Sequence, residues 1–586
     1  MELRQLQERS VASPFRVALT GIMVAGFASA IALAGFASTT QARDRDADPA
    51  PLVVPKAKCG PNDHPETALQ GQVPAALRAS GFHGFNCNLE LLGQDKDDGA
   101  NWQTAEFRDP RGLDRDDGRD GRDDWYREGG DDRDRHGDRH RDDIVCGYHG
   151  SASPARSLPT RNPASFGVPV VDITNPNKPV TTGFLQTTSM LDPWESLKVN
   201  ERRQLLGADN GQNGGGGPEV DIYDLSQDCR FPQLLASLPV GTGTDGSGII
   251  HPIIGHEGTW APDGLTYYGG DLRFKPAAPI ASTGQYYAVD TTDPTRPKLI
   301  TTWTTGIAGG NVHGMSISAD GRRGYFVSIG GLSGNPLAAL TDPTVPANNG
   351  LLIYDLSQIQ SRRPNPQVKL ISQLLWKDGS VAQHTIPVKI DGKPYLIFVD
   401  EGGSGGLSST AQAQAACAAG LPPFPLARII DISDERHPKI VSRLGLEIHD
   451  PANCAEVLPD IAGLATFTYG SHYCSVDNKQ NATTLACGYF NAGLRVFDIR
   501  KPTHPREIAY FNPAGTTVAS PGSNHVSLNQ WRAGGPDWCS AQVHLNASNG
   551  TMWSTCQDNG VLVLKFTHGV WPFPETRTPP GGGEDD

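Results

Sequence analysis

The chain has 586 residues and a formal net charge of −14, and it contains 67 glycines and 46 prolines. The acidic balance, with no cluster of Lys and Arg interleaved with aromatics, excludes a nucleic-acid-binding surface, because contacts with phosphate need such clusters. Glycine and proline in these numbers favour many strands and turns over long helices.

The first 42 residues have the pattern of a secretory signal peptide. Three arginines precede a continuous apolar run at 17–36, and Thr40-Gln41-Ala42 offers a small-residue cleavage site. We therefore predict cleavage at this site and a protein that is secreted, periplasmic or bound at the cell surface. An uncleaved membrane anchor is the alternative, since the run is long enough to cross a bilayer. No later segment is apolar enough to span a membrane, so we expect no span after signal removal.

Two segments of biased composition follow the signal. Residues 43–81 are rich in Pro, Asp and Ala and are predicted to form an extended N-terminal arm. Residues 94–143 are dominated by Asp, Arg and Gly, which bury too little apolar surface to fold alone, so they are predicted to be a disordered insertion that interrupts a blade. A calcium-binding or partner-binding tail is the alternative, although Arg interrupts every candidate calcium loop.

A repeated phrase organises the rest of the chain. Each copy is a short apolar strand that ends in Asp, followed by a polar turn, as in Val289-Asp290-Thr291-Thr292-Asp293-Pro294. Asp and Thr bond back to the local backbone and Pro ends strand pairing. The copies are centred on Asp172, Asp224, Asp290, Asp355, Asp431 and Asp498, and a final apolar strand at 561–566 lacks the Asp turn.

Six copies and a closing strand make seven units, each long enough for four strands. One such sheet cannot bury both faces, so the units must stack around an axis. We predict an all-β fold, a seven-bladed β-propeller of four-stranded antiparallel sheets at 82–568, with a flexible C-terminal tail at 569–586. We expect the first strand, near Leu89, to join the unit that ends at Asp172.

The repeated phrase resembles the LVIVD repeat family of exported bacterial β-propellers. The match is specific at Asp172, Asp290, Asp431 and Asp498, and departs at Asp224 and Asp355, where longer loops replace the Asp-Pro turn. The resemblance implies the propeller fold. It implies little about chemistry, because one fold hosts many functions.

The ten cysteines all follow the signal, and an even number in an exported protein indicates disulfides. Cysteines that flank one proposed hairpin, or that occupy similar repeat positions, are predicted to pair. The pairs are Cys474 with Cys487, Cys539 with Cys556 and Cys87 with Cys146, and elimination leaves Cys417 with Cys454 and Cys59 with Cys229. A zinc site is the alternative, but the sequence contains no CxxC motif.

A histidine at the start of a strand is the second recurring feature. His256, His313 and His384 each lie eight residues before the glycine of a hairpin turn, at Gly264, Gly321 and Gly392. His472 and His525 begin strands in the next two blades without that spacing. In the second blade, Pro193-Trp194-Glu195 stands near the same place. Glu257, beside His256, is interpreted as a solvated charge, or else as an acid that orients a metal ligand.

Innermost strands line the axial channel of a propeller, so these five histidines are predicted to converge at one mouth as metal ligands. Imidazoles on a rigid frame suit Cu, Fe or Zn. The alternative is structural, with each histidine bonding to an Asp or a backbone group between strands. Propellers of this kind resemble in architecture the carotenoid oxygenases and the selenium-binding/methanethiol oxidase group.

Three functions remain open on this sequence. The first is a binding protein that takes a small molecule or a cell-surface protein at its axial mouth, through a histidine-bound transition metal. The second is a metal-dependent oxidoreductase that acts on a small molecule. The third is a cell-surface interaction scaffold whose histidines are structural. The sequence contains neither a GxSxG elbow nor a Gly-rich loop followed by GKS or GKT, so no catalytic residue is assigned.

Overall fold

A computed structural model describes residues 51–96, 99–109, 144–150, 162–210, 220–244, 250–252, 255–272, 284–330, 340, 342–407, 409–462, 467–516 and 534–574. The described strands are β1 Phe85–Cys87, β2 Leu89–Asp95, β3 Asn101–Asp109, β4 Ile144–Gly150, β5 Val168–Asp172, β6 Val180–Leu185, β7 Lys198–Asn200, β8 Leu205–Asp209, β9 Val220–Asp224, β10 Gln233–Leu238, β11 Thr242–Thr244, β12 Ile250–Pro252, β13 Glu257–Trp260, β14 Thr266–Gly270, β15 Tyr286–Asp290, β16 Lys298–Trp303, β17 Met315–Ile317, β18 Arg323–Ser328, β19 Asn349–Asp355, β20 Lys369–Trp376, β21 Ser380–Ile390, β22 Lys393–Gly402, β23 Ala427–Asp431, β24 Lys439–Leu444, β25 Cys474–Val476, β26 Thr484–Gly488, β27 Leu494–Asp498, β28 Arg506–Asn512, β29 His544–Asn546, β30 Thr551–Cys556 and β31 Gly560–Phe566. The described helices are α1 Ala75–Ser80, α2 Ser357–Gln360, α3 Thr410–Ala418 and α4 Cys454–Val457, with 3-10 turns at Pro163–Ser165, Glu447–His449, Pro451–Asn453 and Leu458–Ile461.

Apart from β11 and β12, the described strands form seven antiparallel sheets, which confirms the seven-bladed propeller. Blades one to five are β3–β6, β7–β10, β13–β16, β17–β20 and β21–β24, and each runs from its innermost to its outermost strand in chain order. Blade six is β25–β28 with β1 added outside, and blade seven is β29–β31 with β2 added outside. Strands β11 and β12 form a separate two-stranded ribbon.

The repeated aspartates end the third strand of blades one to six. In all six copies the Asp carboxylate accepts a hydrogen bond from the backbone N–H two residues later, at 2.8–3.1 Å. This local bond turns the chain out of the sheet, as expected for Asp in a turn. The same turn therefore also occurs at Asp224 and Asp355, where the repeat is less regular.

The ring is closed by the N-terminal part of the propeller. Strand β2 pairs with β31, with Leu89 opposite Phe566, so the beginning and the end of the propeller share blade seven. The expectation that the strand near Leu89 joins the unit ending at Asp172 is wrong. That unit, blade one, already has four strands, β3 to β6, of which β3 is the innermost.

Strand β3 also corrects the range of the charged insertion. Residues 101–109 pair with β4, and Ala105 and Phe107 are buried in blade one. Residues 101–109 have the alternating apolar positions of a strand. The segment rich in Asp, Arg and Gly begins only after them. The rest of the insertion, 110–143, lies outside the described residues, as do the proposed signal peptide and His525.

The C-terminal segment is likewise shorter than predicted. Trp571 and Phe573 are 3% and 7% exposed, and Trp571 packs on Phe566 at 4.7 Å between ring centroids. Trp571 and Phe573 are therefore part of the core of blade seven. No described helix has the length and apolarity needed to cross a membrane.

Three of the predicted disulfides are confirmed and two are wrong. The bonds Cys474–Cys487, Cys539–Cys556 and Cys417–Cys454 are present. The other two bonds are Cys59–Cys87 and Cys146–Cys229, in place of Cys87–Cys146 and Cys59–Cys229. Cys87 lies on the outer edge of blade six and Cys146 lies in blade one, so similar local sequence did not mean proximity. Five disulfides fit an oxidising compartment.

Apolar and aromatic side chains fill the space between neighbouring blades. Trp303 of blade three packs against Phe326 and Tyr354 of blade four, with ring centroids 5.4 and 6.4 Å away. Aromatic pairs of this kind contribute about 0.5–1.5 kcal/mol each beyond burial of area. This packing joins blade three to blade four.

Candidate metal centre at the hub

Side chains from five blades meet where the innermost strands begin, a place we call the hub. Glu195 precedes β7 of blade two, His256 precedes β13 of blade three and His313 precedes β17 of blade four. Glu401 lies near the end of β22 in blade five, and His472 precedes β25 of blade six. Only the centre of the ring brings blades two, four and six together, so these five residues, the hub cluster, lie at the axis.

Backbone hydrogen bonds between blades fix these positions. The N–H of Glu195 donates to the carbonyl of His256 at 3.0 Å, and the N–H of Gly314 donates to the carbonyl of Gln383 at 3.0 Å. The N–H of Tyr473 donates to the carbonyl of Ser540 at 3.2 Å. The hub side chains therefore project from a backbone that cannot shift freely.

Glu195 is the centre of the hub cluster. Its Oε2 lies 2.9 Å from His313 Nε2 and 3.3 Å from His256 Nε2, and its Oε1 lies 3.1 Å from His472 Nε2. Glu401 Oε1 lies 3.2 Å from the same His472 nitrogen. The side chains of all five residues are at most 7% exposed.

The other ring nitrogens establish which atoms face the carboxylates. His313 Nδ1 lies 3.0 Å from the carbonyl of Ala382, and His472 Nδ1 lies 2.8 Å from the carbonyl of Ser540. A carbonyl only accepts, so both Nδ1 atoms carry a proton. Each Nε2 then offers either a lone pair to a metal or a second proton to Glu195. Fixing a ligand histidine through its other nitrogen is a regular feature of metal sites.

Without a metal, protons hold the hub cluster together. Burial alone lowers the pKa of His472, but hydrogen bonds with Glu195 and Glu401 outweigh it and raise that pKa to about 10. The pKa of His313 is also raised, because its bond to Glu195 outweighs burial. Burial alone would raise the pKa of Glu195, but the charge and hydrogen bonds of the histidines bring it well below its usual value. The pKa of His256 is lowered, chiefly by burial.

The spacing of the hub cluster fits metal coordination. Bonds of roughly 2.0–2.2 Å that meet at right angles put neighbouring ligand atoms about 3 Å apart. The four nitrogen-to-oxygen distances in the cluster are 2.9–3.3 Å. Imidazole and carboxylate donors without thiolate suit first-row ions such as Fe, Zn, Cu or Ni. The atoms form two groups of three, Glu195 with His256 and His313, and Glu195 with Glu401 and His472.

His256, His313 and His472 are thus brought together, whereas His384 is not in the cluster. The His384 ring stacks on Tyr473 at 4.7 Å, and its Nε2 accepts from the N–H of Cys474 at 3.4 Å. Burial lowers the pKa of His384 well below its usual value, so it is neutral. Its neighbour Gln383 extends to the hub instead, with its amide nitrogen 3.0 Å from His472 Nε2.

Sequence reasoning did not identify Glu195 and Glu401 as site residues. Glu195 carried a usable signal, because Pro193-Trp194-Glu195 stands where the other blades have their hub residue. Glu401 lies on a second strand, so the spacing that identified the histidines does not apply to it. Only the folded ring brings it to His472.

Glu257 is buried, which corrects its interpretation as a solvated charge. Its side chain is 1% exposed and lies 3.1 Å from Lys198 Nζ, and the Tyr473 hydroxyl donates to its second oxygen. Burial raises the pKa of Glu257 to about 7. The contact joins blades two, three and six beside the hub cluster.

An aromatic cluster of Trp102, Trp194, Phe467, Phe490 and Trp538 covers one side of the histidines. The Trp194 ring lies 5.3 Å from His256, and the rings of Phe490 and Trp102 lie 5.1 and 5.4 Å from His472. Four of the five hold a positive φ of 44–53°. Bulky residues rarely adopt this conformation, and such strain concentrates at functional sites.

No family model matches this chain, and no curated protein matches it. A solved protein from Lactobacillus plantarum and the periplasmic gluconolactonase PpgL of Pseudomonas aeruginosa each share 12% identity with it, cover 69% of this chain and 92% of their own, and have TM-scores of 0.39. The β-propeller domain of Myceliophteria thermophila Cps50 (Swd1) shares 8% identity over 72% of this chain and 92% of its own, with a TM-score of 0.37. The fold assignment rests on the sheet topology, and the resemblance to the LVIVD family stays a prediction.

Proposed function

We propose that this chain is an exported propeller that binds a transition metal at the hub cluster and, through the metal, a small molecule or partner at the axial mouth. The observation that carries the proposal is the convergence of three Nε2 atoms from three blades on one buried carboxylate. Buried ionisable groups are costly unless they are paired or coordinate a metal. Their convergence at the centre of the ring supports a binding role.

Metal binding also accounts for the arrangement of protons. An ion at the hub cluster would take the place of the protons between Glu195 and the Nε2 atoms of His313 and His472, while both Nδ1–H groups would keep donating to their backbone carbonyls. The ligands therefore need no new backbone partners when the ion enters. Such preorganisation favours binding, because little ordering remains to be done.

The test is elemental analysis of the disulfide-intact protein after expression with Cu, Fe and Zn supplied. We expect at least one equivalent of one of these metals per chain. His313→Ala should lower the bound metal by at least one equivalent per chain, whereas His384→Ala should retain all of it. His384 is the matched control, because it is also buried beside the hub but lies outside the cluster. Circular dichroism and thermal unfolding check that both variants fold.

Only trace metal in the supplemented wild-type protein would contradict the proposal. So would a His313→Ala variant that folds and keeps all of the metal that the wild type binds. The hub histidines would then be structural, and the interaction scaffold would become the better interpretation.

A metal-dependent oxidoreductase is a second candidate, and the aromatic cluster is the observation that favours it. Apolar rings against His256 and His472 restrict water, and the apolar shell of a metal site controls its solvent access and redox potential. Turnover of a thiol or an unsaturated hydrocarbon by the metal-loaded protein separates an enzyme from a binding protein. We expect Trp194→Ala to alter that turnover while metal content stays unchanged.

A further inference from the structure

We infer that the hub cluster holds two metal ions, bridged by the carboxylate of Glu195. The inference rests on the proposed function, since it divides the same ligands between two positions. The first position uses His256, His313 and Glu195 Oε2, and the second uses His472, Glu401 and Glu195 Oε1.

The orientation of the Glu195 carboxylate favours two ions. Its two oxygens face different ligands, with Oε2 toward blades three and four and Oε1 toward blade six. A carboxylate that served one ion would have both of its oxygens, or one of them, directed at a single set of ligands. Carboxylate oxygens directed at two sets match the two-metal sites of enzymes, in which the ions are about 3.5–4 Å apart.

The number of ligand atoms is sufficient for two ions. Each group supplies three protein atoms, which lie within 4.8 Å of one another. Three protein ligands are the usual set at a catalytic ion, which keeps the remaining position for water or substrate. The first set has two imidazoles and the second has two carboxylates, so the two positions should differ in affinity for a given metal.

The side-chain amide of Gln383 can supply a further ligand to the second position. Its side chain is buried, its Oε1 has no hydrogen-bond partner among the described residues, and its amide nitrogen lies 3.0 Å from His472 Nε2. Amide oxygen and nitrogen exchange places by rotation, and their assignment follows the hydrogen-bond network. The rotated amide presents its oxygen to the second position. An otherwise unpaired buried oxygen is thereby satisfied.

Charge determines what completes the centre. Two divalent ions bring four positive charges, and Glu195 and Glu401 supply two negative charges. Uncompensated charge is costly in a buried site. A hydroxide or another small anion would therefore complete the coordination, and where that anion is hydroxide, uptake of the second ion would release a proton from the water that supplies it.

The experiment is a titration of the chelator-stripped, disulfide-intact protein with Mn²⁺, followed by isothermal calorimetry and electron paramagnetic resonance. We expect two Mn²⁺ per chain and an exchange-coupled spectrum, because ions that share a carboxylate are close. Glu401→Gln and His256→Ala should each reduce the stoichiometry from two ions to one and abolish the coupling. Glu435→Gln is the matched control and should keep two ions, because Glu435 lies in the β23–β24 turn of blade five and pairs with Arg323 of blade four, away from the cluster.

The outcomes separate this inference from the proposed function. One ion per chain, lost in both Glu401→Gln and His256→Ala, would overturn the two-metal centre and leave the metal site intact. Two ions without exchange coupling would overturn the Glu195 bridge. No binding of Mn²⁺, Fe²⁺, Cu²⁺ or Zn²⁺ would overturn both proposals. Two coupled ions that fall to one in each variant would support the inference.

Discussion

Blades four and five start their innermost strands with the same sequence spacing, yet they present different residues to the hub. His313 and His384 both lie eight residues before a hairpin glycine. His313 contacts Glu195, whereas His384 stacks on Tyr473 and Gln383 contacts His472. The pairing of β21 with β22 shifts register between Ala382 and His384, so Gln383 is an extra residue in the strand.

The comparison shows that a bulge decides which side chain of blade five faces the hub. Side chains alternate between the faces of a strand, so one extra residue moves each earlier side chain to the other face. Alternation also separates two adjacent carboxylates of blade five. Asp400 pairs with Arg428 at 2.8 Å inside the sheet, and Glu401 contacts His472 at the hub.

We expect the largest effect on stability at the buried ion pair of Arg428 and Asp400 in blade five. Arg428 is fully buried and pairs with Asp400 and Asp378. Arg428→Met should lower the free energy of unfolding by about 3–5 kcal/mol, because it leaves the buried Asp400 carboxylate without its cation. Chemical denaturation measures this, and Arg443→Met, at the more exposed partner of Asp378, should cost less than about 1 kcal/mol. Equal losses in the two variants would contradict the distinction between them.

The second effect distinguishes a structural histidine from the hub histidines. His449 is fully buried, and both ring nitrogens have backbone partners, with Leu446 and Pro425. Burial lowers the pKa of His449 to about 4. Below its unfolded-state pKa of about 6.5, the unfolded chain binds the proton first, so stability falls as the pH falls from 6.5 toward 4. The loss that His449 contributes is about 2 kcal/mol at pH 5.

His449→Asn tests this by urea denaturation at pH 8, 6 and 5. The cost of the substitution itself is read at pH 8, where the histidine is neutral in both states. After that cost is subtracted, the free energy of unfolding should fall less between pH 8 and pH 5 in the variant than in the wild type. The same pH dependence in both proteins would show that His449 does not contribute to acid sensitivity.

The sequence predicted contacts between residues that are close together in the chain, and it did not predict contacts between residues that are far apart. The Asp290 turn and the Cys474–Cys487 bond depend on residues 2 and 13 positions apart, and both follow from local patterns. The Cys146–Cys229 bond joins residues 83 apart in different blades, and repeat similarity gave the wrong partner. Glu195 contacts histidines 118 and 277 residues away. Such contacts depend on ring closure and on a bulge, and neither has a signature in the repeat.

A third effect tests the contact between Glu257 and Tyr473. Tyr473→Phe keeps the ring that stacks on His384 but removes the hydroxyl that donates to buried Glu257. We expect a loss of about 1.5 kcal/mol in unfolding free energy, because the carboxylate then keeps Lys198 as its one side-chain partner among the described residues. Metal content should stay unchanged, since neither residue belongs to the hub cluster. A loss of metal together with native stability would place Glu257 among the ligands.

The smallest effect most directly tests the difference between blades four and five. If Gln383 is the hub residue of blade five, Gln383→His places another imidazole beside His472 Nε2, where the amide nitrogen now lies 3.0 Å away. Imidazole binds first-row metals better than an amide does, so we expect about tenfold tighter binding, or about 1.4 kcal/mol, by calorimetric titration with Zn²⁺. His384→Gln is the reciprocal control and should leave the affinity unchanged, because its ring faces Tyr473. Unchanged affinity in Gln383→His with a clear loss in His384→Gln would mean that hairpin spacing, and not the bulge, determines which side chain reaches the axis.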